Sequence, residues 1–247
     1  MTICNSEWRL PPEGISVTAG ELHIWRAFLN DAKSRLKELS RFLSYDERER
    51  AGRFRFARDR EHFIVSRAIL RILLHRYVGT PAGDIQFGYG ANGKPYFADE
   101  THRWLRFNLS HSHGVALYAI SAEREIGIDV EYVGGMPDVD VENIFSASEI
   151  AALKALPESV RPRAFFACWT RKEAYIKARG GGLSIPLKSF SVSLSPGEPA
   201  ALLDASPPEF SRWSLREIAV DPRYAAAVAV EGSPSRIRYW EVRESDF

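Results

Sequence analysis

The spacing of apolar residues predicts a chain that mixes strands and helices. Residues 21–29 alternate as a strand does, with Leu22 and Ile24 on one face. Residues 60–78 carry apolar side chains at helical spacing up to Gly79, which favours one long helix. Further helices and short strands are predicted in the same half of the chain, over residues 31–43 and 46–58 and over residues 85–89, 106–109 and 115–121.

The second half of the chain repeats this order of elements. A capping-box pattern, Ser44-x-x-Glu47, recurs as Ser146-x-x-Glu149, each time at the start of a predicted helix. Two of the short strands have counterparts in the same order, at residues 190–194 and 225–231.

This recurrence predicts an α+β fold made by duplication, with similar halves over residues 1–123 and 124–247. Two such halves would pack around a pseudo-twofold axis, and their seam is a natural place for a ligand cleft. Chance similarity is the alternative, because the matching segments share few identical residues.

Length and composition exclude several classes of protein. The chain has 247 residues, 45% of them hydrophobic, and a formal net charge of +1, which is ordinary for a globular protein. It has neither an apolar stretch of about 18 residues nor a basic and then apolar leader, so we predict no membrane span and no signal peptide. Two cysteines, Cys4 and Cys168, cannot form a disulfide framework or a four-ligand zinc site by themselves. Structural disulfides are rare in cytoplasmic proteins, so two cysteines fit that compartment. We therefore expect a soluble, cytoplasmic enzyme.

Charge is unevenly distributed along the chain. Nine arginines and only three acidic residues lie between Arg48 and Arg76. The forked guanidinium group suits phosphate oxygens, so this segment is a candidate for binding a phosphorylated ligand. A solvated basic helix face with internal ion pairs explains the same pattern. A nucleic-acid-binding module is disfavoured by the near-neutral net charge, and we expect no nucleic acid partner.

Two carboxylates share one face of a predicted strand. Residues 126–131, IGIDVE, alternate so that Asp129 and Glu131 project to the same side, with Cα atoms ~6.5–7 Å apart. Carboxylates this close repel each other unless a cation or a proton lies between them. Oxygen ligands select hard divalent cations such as Mg²⁺, which makes the pair a candidate metal site. The alternative is the polar face of an ordinary edge strand.

A predicted helix over residues 165–177 places charged groups on a stripe that would otherwise be buried. The side chains that share this stripe are Phe166, Trp169, Glu173 and Lys177. Charges in such a position indicate a functional surface. The structural alternative is an ordinary pair of charges one helical turn apart, which contributes ~0.2–0.5 kcal/mol.

Hydroxyl and imidazole groups cluster at the end of another predicted strand. Residues 107–114, FNLSHSHG, supply donors that suit phosphate oxygens, and residues 93–95, GKP, present a lysine on a tight turn. Taken alone, the second pattern favours a plain surface lysine. His111 and His113 suggest zinc, but no cysteine or third histidine lies near them in the sequence. A serine nucleophile is disfavoured because the G-x-S-x-G elbow is missing.

Together, these segments resemble the 4′-phosphopantetheinyl transferase superfamily, in its larger surfactin-synthetase-activating (Sfp-type) branch. The resemblance spans roughly residues 20–235 and depends on motifs that agree in order: GKP at 93–95, FNLSHS at 107–112, GIDVE at 127–131, FSxxE at 145–149, WTRKEAxxK at 169–177 and GL at 182–183. It implies a pseudo-twofold α+β monomer. It also implies transfer of 4′-phosphopantetheine from coenzyme A to a serine of an apo acyl or peptidyl carrier protein, with release of adenosine 3′,5′-bisphosphate.

The resemblance implies roles in metal binding and catalysis. Asp129, Glu131 and Glu173 match the ligands of Mg²⁺, which Mn²⁺ could replace. Glu149 occupies the family's general-base position, acting directly or through a metal-bound water. Glu173 and Lys177 are the other catalytic candidates, and Lys177 matches the lysine that meets the phosphate chain.

The resemblance also implies contacts to the coenzyme A phosphates. The matching residues are Lys94, Ser110, His111 and Lys177. We add Arg50 and Arg53 from the arginine-rich segment, and we expect other arginines there to face an acidic carrier. A metal-dependent phosphoesterase acting on a nucleotide or a coenzyme A-like substrate is the alternative function. Carriers of fatty acid, polyketide and nonribosomal peptide synthesis all fit the sequence.

Overall fold

Two β-sheets, each packed against a long helix, dominate the residues that the computed structural model describes, 7–204 and 209–246. The strands are β1 (Glu21–Phe28), β2 (Phe87–Tyr89), β3 (Pro95–Phe97), β4 (Leu105–Ser112), β5 (Val115–Ala122), β6 (Ile126–Tyr132), β7 (Ser191–Val192), β8 (Leu202–Asp204), β9 (Trp213–Glu217), β10 (Tyr224–Glu231) and β11 (Arg236–Glu241). The helices are α1 (Leu36–Leu39), α2 (Tyr45–Gly52), α3 (Ala57–Val78), α4 (Val141–Ile144), α5 (Ala147–Ala155), α6 (Arg161–Arg179) and α7 (Glu209–Arg212).

The two sheets correspond closely to the two expected halves. The first has the strand order β11-β1-β5-β4 and the second the order β6-β10-β9. Neighbouring strands are antiparallel, except that β1 and β11 run parallel. Strand β11 comes from the C-terminal end of the chain but completes the first sheet. The boundary expected near residue 123 therefore separates the sheets only up to this last strand.

Three apolar cores hold these layers together. One lies between the first sheet and α3 and contains Trp25. A second lies between the second sheet and α6 and contains Ile176. The third is shared by the two sheets, through residues such as Ile24, Ile128 and Val228. Alternate residues of each central strand thus point to a helix on one face and to the other sheet on the opposite face.

The expected mixture of helices and strands is confirmed, with shifted ends. Strands are present at the positions predicted for β1, β2, β4, β5, β6 and β10, and the strand expected at residues 190–194 is shortened to β7. Residues 31–43 contain short helical turns instead of one continuous helix. Among the described residues, no helix combines the length and the apolar character needed to cross a bilayer.

The prediction of one helix over residues 46–58 is wrong. Helix α2 ends at Gly52, and α3 begins at Ala57. Between them, Phe54 turns onto Phe63, with the ring centroids 5.3 Å apart. Burial of this aromatic ring favours a break that helix propensity alone does not reveal.

Both predicted capping boxes are present, at the starts of α2 and α5. The glutamate of each box also forms a buried ion pair. Glu47 lies 2.7 Å from Arg71, and Glu149 lies 2.8 Å from Lys172. The two halves therefore share a local arrangement, while their origin by duplication stays a prediction. Cys4 lies outside the described residues, and Cys168 is a buried free thiol.

Candidate active site

Strand β6 carries its carboxylates on the face that meets α6. Gly127 lets the helix approach closely, because a Cβ atom there would lie 2.1 Å from the carbonyl oxygen of Ala174. Asp129 follows on the same face of the strand, one pleat further along. The close packing brings this carboxylate next to the part of α6 that carries Glu173 and Lys177.

Asp129 is the most enclosed of the predicted metal ligands, with 3% of its surface exposed. Its Oδ1 atom accepts hydrogen bonds from Ser110 Oγ at 2.8 Å and from Lys177 Nζ at 2.6 Å. Its Oδ2 atom is buried and has no hydrogen-bond partner among the described residues. A buried carboxylate oxygen without a partner is costly, so this atom is available for a cation.

The neighbouring carboxylates carry the electrostatic signature of crowded negative charge. Burial raises the pKa of Glu131, and repulsion from Asp129 raises it further. Burial also raises the pKa of Glu173, with Lys177 opposing this effect and Asp129 adding to it. Three carboxylates therefore influence one another beside the ammonium group of Lys177.

These donors fit a hard divalent cation. Carboxylate oxygens are the ligands that Mg²⁺ takes in proteins, usually together with water and substrate phosphate. A cation would relieve the repulsion between Asp129 and Glu131, and the unpartnered Oδ2 atom of Asp129 would coordinate it. Within residues 7–204 and 209–246, no three acidic, histidine or cysteine side chains are gathered tightly enough to bind an ion as they stand. The ammonium group of Lys177 contacts Asp129 in this arrangement.

The stripe predicted on α6 continues from these charges into the core. Phe166 and Trp169 are partly buried against the apolar core beneath the helix. Glu173 and Lys177 are also half-buried and lie at the other end of the stripe. One end of the stripe therefore packs on the apolar core, and the other end lies at the carboxylate cluster.

A cavity of about 350 Å³ opens beside the carboxylates. Ser110 belongs to its wall and also donates to Asp129, so the cavity and the acidic cluster are contiguous. The structure leaves Arg53 exposed after the end of α2 and outside this lining. The polar and cationic side chains that line the cavity come from both halves and include Arg50, Arg67, Lys94, Ser110, His111 and Lys177.

Lys94 of the first half contacts residues of the second half at the cavity. Its Nζ atom donates to the carbonyl oxygens of Ile126 at 2.9 Å and Ala178 at 3.3 Å, and it pairs with Glu125 at 3.1 Å. Desolvation lowers the pKa of Lys94, while Glu125 opposes that effect. The lysine thus has a structural role in addition to its place in the cavity wall.

The two histidines of the β4 segment have different surroundings. His111 lies in the cavity wall, where surrounding protein atoms partly desolvate the imidazole ring and lower its pKa, with His62 and Lys177 adding to the effect. His113 stacks on Tyr132, with ring centroids 4.8 Å apart. The described part of the chain places no third ligand with them, so the zinc interpretation has no support.

Arg67 is a cavity residue that the sequence motifs did not assign. It is 6% exposed, and its Nη1 atom has no hydrogen-bond partner among the described residues. Two other buried arginines are paired, Arg71 with Glu47 at 2.7 Å and Arg171 with Glu217 at 3.0 Å. A buried guanidinium without a carboxylate indicates an anionic ligand. Its signal in the sequence is an arginine within an apolar run of the long helix.

Glu149, expected as the general base, has structural contacts that argue against that role. Its side chain is 2% exposed in the second half of the chain. The Oε2 atom accepts from the backbone N–H of Ser146 at 2.8 Å and pairs with Lys172, and Oε1 accepts from the N–H of Val192 at 2.8 Å. Both oxygens therefore have protein partners, and the side chain is buried. Glu149 therefore stabilises the start of α5 instead.

Comparison with known proteins assigns this architecture to a family. A model described as the 4′-phosphopantetheinyl transferase superfamily matches residues 125–229, and one described as 4′-phosphopantetheinyl transferase, N-terminal, matches residues 28–124. The 4′-phosphopantetheinyl transferase HetI of Nostoc sp. is 38% identical over 236 residues, which cover 94% of this chain and 97% of that protein.

A second relative has substantial sequence identity, whereas the likeness to a solved structure is weak. The 4′-phosphopantetheinyl transferase Sfp of Bacillus subtilis is 31% identical over 189 residues, which cover 76% of this chain and 81% of that protein. Among solved structures, the Chronobacterium ammoniagenes ACPS-CoA complex has a TM-score of 0.34 and 17% identity, over 44% of this chain and 97% of that chain. This structural likeness is too limited to support an argument about the site.

Proposed function

The chain belongs to the 4′-phosphopantetheinyl transferase superfamily, and from that premise we propose how its cleft serves the reaction. It transfers the 4′-phosphopantetheine group of coenzyme A to a serine of a carrier protein. The products are the holo carrier and adenosine 3′,5′-bisphosphate. The phosphoesterase alternative is not favoured, because the matched relatives are named as transferases.

Coenzyme A occupies the cavity in this proposal. Its pyrophosphate and 3′-phosphate require several cationic groups and hydrogen-bond donors in one place. The observation that carries the proposal is the cationic cavity directly beside a cluster of carboxylates, joined to it through Ser110. We assign the phosphate contacts to Arg50, Arg67, Lys94, Ser110, His111 and Lys177.

Asp129, Glu131 and Glu173 would hold Mg²⁺. When bound, the ion would polarise the pyrophosphate and offset its negative charge. Lys177 already lies against Asp129, so its ammonium group is placed to stabilise charge on the departing bisphosphate. The support for the ion is the unpartnered oxygen of Asp129 together with the raised pKa values of the two glutamates.

We assign the role of proton acceptor to Glu173 rather than to the buried Glu149. It is half-buried rather than enclosed, so an incoming hydroxyl group can approach it. Burial raises the pKa of Glu173, a direction that favours proton acceptance by the carboxylate. The carboxylate oxygen of Glu173 that does not hold Mg²⁺ would accept the proton of the carrier serine. The serine oxygen would attack the β-phosphorus of coenzyme A, and the pyrophosphate bond would break to release adenosine 3′,5′-bisphosphate.

The carrier protein would meet the basic surface near α2 and α3. Arg53, Arg55, Arg58 and Arg60 are exposed there, whereas Arg71 is buried with Glu47 and cannot take part. Carrier proteins are usually acidic, and such a surface would steer them toward the cleft. Transfer rates measured at saturating coenzyme A should fall as ionic strength passes ~0.1 M, where the Debye length is ~10 Å.

Mass spectrometry tests the proposed function directly. Purified apo carrier proteins are incubated with the enzyme, coenzyme A and Mg²⁺, and the expected result is a phosphopantetheine mass gain on the carrier serine. The Asp129→Ala variant should give no gain while keeping its fold by circular dichroism. Release of adenosine 3′,5′-bisphosphate without any carrier, and no modification with one, would favour the phosphoesterase instead.

A further inference from the structure

We propose that Asn108 and Ser112 of β4 are positioning residues that hold the carboxylates of β6 at the edge of the cavity. This inference rests on the metal-dependent transfer proposed above. Strands β4 and β6 lie at the edges of different sheets, so backbone pairing within a sheet does not fix their mutual position. Side chains of β4 make the connection instead.

Three alternate residues of β4 form the rungs of this connection. The Oδ1 atom of Asn108 accepts from the backbone N–H of Ile128 at 2.9 Å. Ser110 Oγ donates to Asp129 Oδ1 at 2.8 Å, in the contact already described. The third rung comes from Ser112, whose Oγ atom donates to Glu131 Oε2 at 2.8 Å.

The register of the rungs is nearly constant. Partners are 20 residues apart at the first rung and 19 residues apart at the second and third, so the two strands run side by side in the same direction. The pleat repeats every two residues, which aims all three β4 side chains at the same neighbour. A one-residue slip between the strands would separate every donor from its acceptor.

Ser112 holds both the backbone and the side chain of β6. Besides donating to Glu131, its Oγ atom accepts from the backbone N–H of Tyr132 at 3.2 Å. A glutamate side chain loses up to ~2 kcal/mol of rotamer entropy when it is fixed, and this hydrogen bond meets part of that cost before any ligand binds. Ser112 thereby presents Glu131 in one orientation beside Asp129.

Asn108 holds the backbone of β6 from a position nearer the start of β4. It is buried, lines the cavity and accepts from the N–H of Ile128, the residue before Asp129. The distance between the phosphate-binding wall and the carboxylates is therefore set by the rungs of β4. Groups that orient metal ligands in this way typically change metal affinity or activity by 10–100-fold when they are removed.

Mn²⁺ binding in the presence of coenzyme A tests the positioning role without measuring catalysis. The free-ion signal in electron paramagnetic resonance gives the dissociation constant for the wild type and for Ser112→Ala. We expect binding to be weaker by about tenfold or more in Ser112→Ala. Ser112→Thr keeps the hydroxyl group and should recover part of the loss.

The matched control is Ser121→Ala. Ser121 is a buried serine of β5 whose Oγ atom has no hydrogen-bond partner among the described residues. Its removal should leave Mn²⁺ affinity close to the wild-type value. Unchanged affinity in Ser112→Ala would overturn the inference, and so would an equal loss in both variants, since that would indicate a general effect of packing.

Amide hydrogen exchange separates this inference from the proposed function. The N–H of Tyr132 should exchange faster in Ser112→Ala, and that of Ile128 faster in Asn108→Ala, because each loses its acceptor. Unchanged exchange rates at both amides would show that these hydrogen bonds between β4 and β6 are absent in solution. Faster exchange together with a wild-type protein that binds no Mn²⁺ would overturn the proposed metal site, and with it the positioning role, while leaving the contact between the strands intact.

Discussion

Replacing Arg67 by methionine should raise the stability of the free protein and weaken coenzyme A binding at the same time. The guanidinium is buried in the cavity wall, and the described residues give its Nη1 atom no partner. Desolvation of the charge disfavours folding, as the lowered pKa of Arg67 indicates. A methionine of similar length would remove the charge and keep most of the apolar contact with Phe63.

The two effects can be given approximate sizes. Replacing poorly compensated buried charge by an apolar side chain can stabilise a protein by ~1–4 kcal/mol. For a chain of this length each kcal/mol corresponds to about 2–4 °C in Tm. The lost hydrogen bond from a charged group to a phosphate should cost ~1.5–3 kcal/mol of binding free energy. Since 1.4 kcal/mol is a tenfold change, the Kd for coenzyme A should rise about 10- to 100-fold.

Thermal unfolding and isothermal titration calorimetry measure the two quantities, with Mg²⁺ held at a fixed concentration. Arg71→Met is the matched control in the same helix. It leaves the Glu47 carboxylate buried without its partner, so it should destabilise the protein by ~3–5 kcal/mol. If Arg67→Met instead lowers the Tm and leaves the Kd for coenzyme A unchanged, Arg67 is a structural cation and the reasoning is refuted.

Three other substitutions test separate parts of the site. Gly127→Ala would drive a methyl group into the backbone of α6, so we expect a large loss of stability in thermal unfolding; a wild-type Tm would contradict the close packing. Glu149→Gln should lower the Tm by weakening the pair with Lys172 yet keep kcat per folded molecule, whereas a lost kcat at unchanged Tm would restore its role as the base. Asp129→Asn should remove the gain in coenzyme A affinity that Mg²⁺ provides, measured by calorimetry with and without the ion; a gain equal to that of the wild type would exclude Asp129 as a ligand.

The sequence was most informative where charged residues recur at the spacing of a strand or a helix. Alternation over residues 126–131 correctly predicted a strand with Asp129 and Glu131 on one side, because a buried strand must separate apolar and polar faces. Helical spacing likewise placed Glu173 and Lys177 on one stripe of α6. Each pattern lies within one strand or one helix, so it can be recognised without knowing how the elements pack together.

Contacts between elements were not accessible to sequence patterns. Glu149 has the residue type and motif of a base, but the fold uses both of its oxygens for a helix cap and a buried ion pair. Arg53 lies in the basic segment but outside the cavity, while Arg67 faces the cavity from a predominantly apolar helix. Which arginine is paired and which is available depends on the packing of α3, and no local pattern records it.

The distribution of charge across the seam explains why the cleft needs both halves of the chain. Arg50, Arg67 and Lys94 come from the first half, and the carboxylates Asp129 and Glu131 come from the second. A phosphate ligand would compensate the cations, and a divalent ion would compensate the carboxylates, so each ligand relieves repulsion on one side of the same boundary. A ligand that carries phosphates to the ion also supplies it with oxygen donors. Binding of the two should therefore be mutually favourable, and by linkage the gain must be equal in both directions.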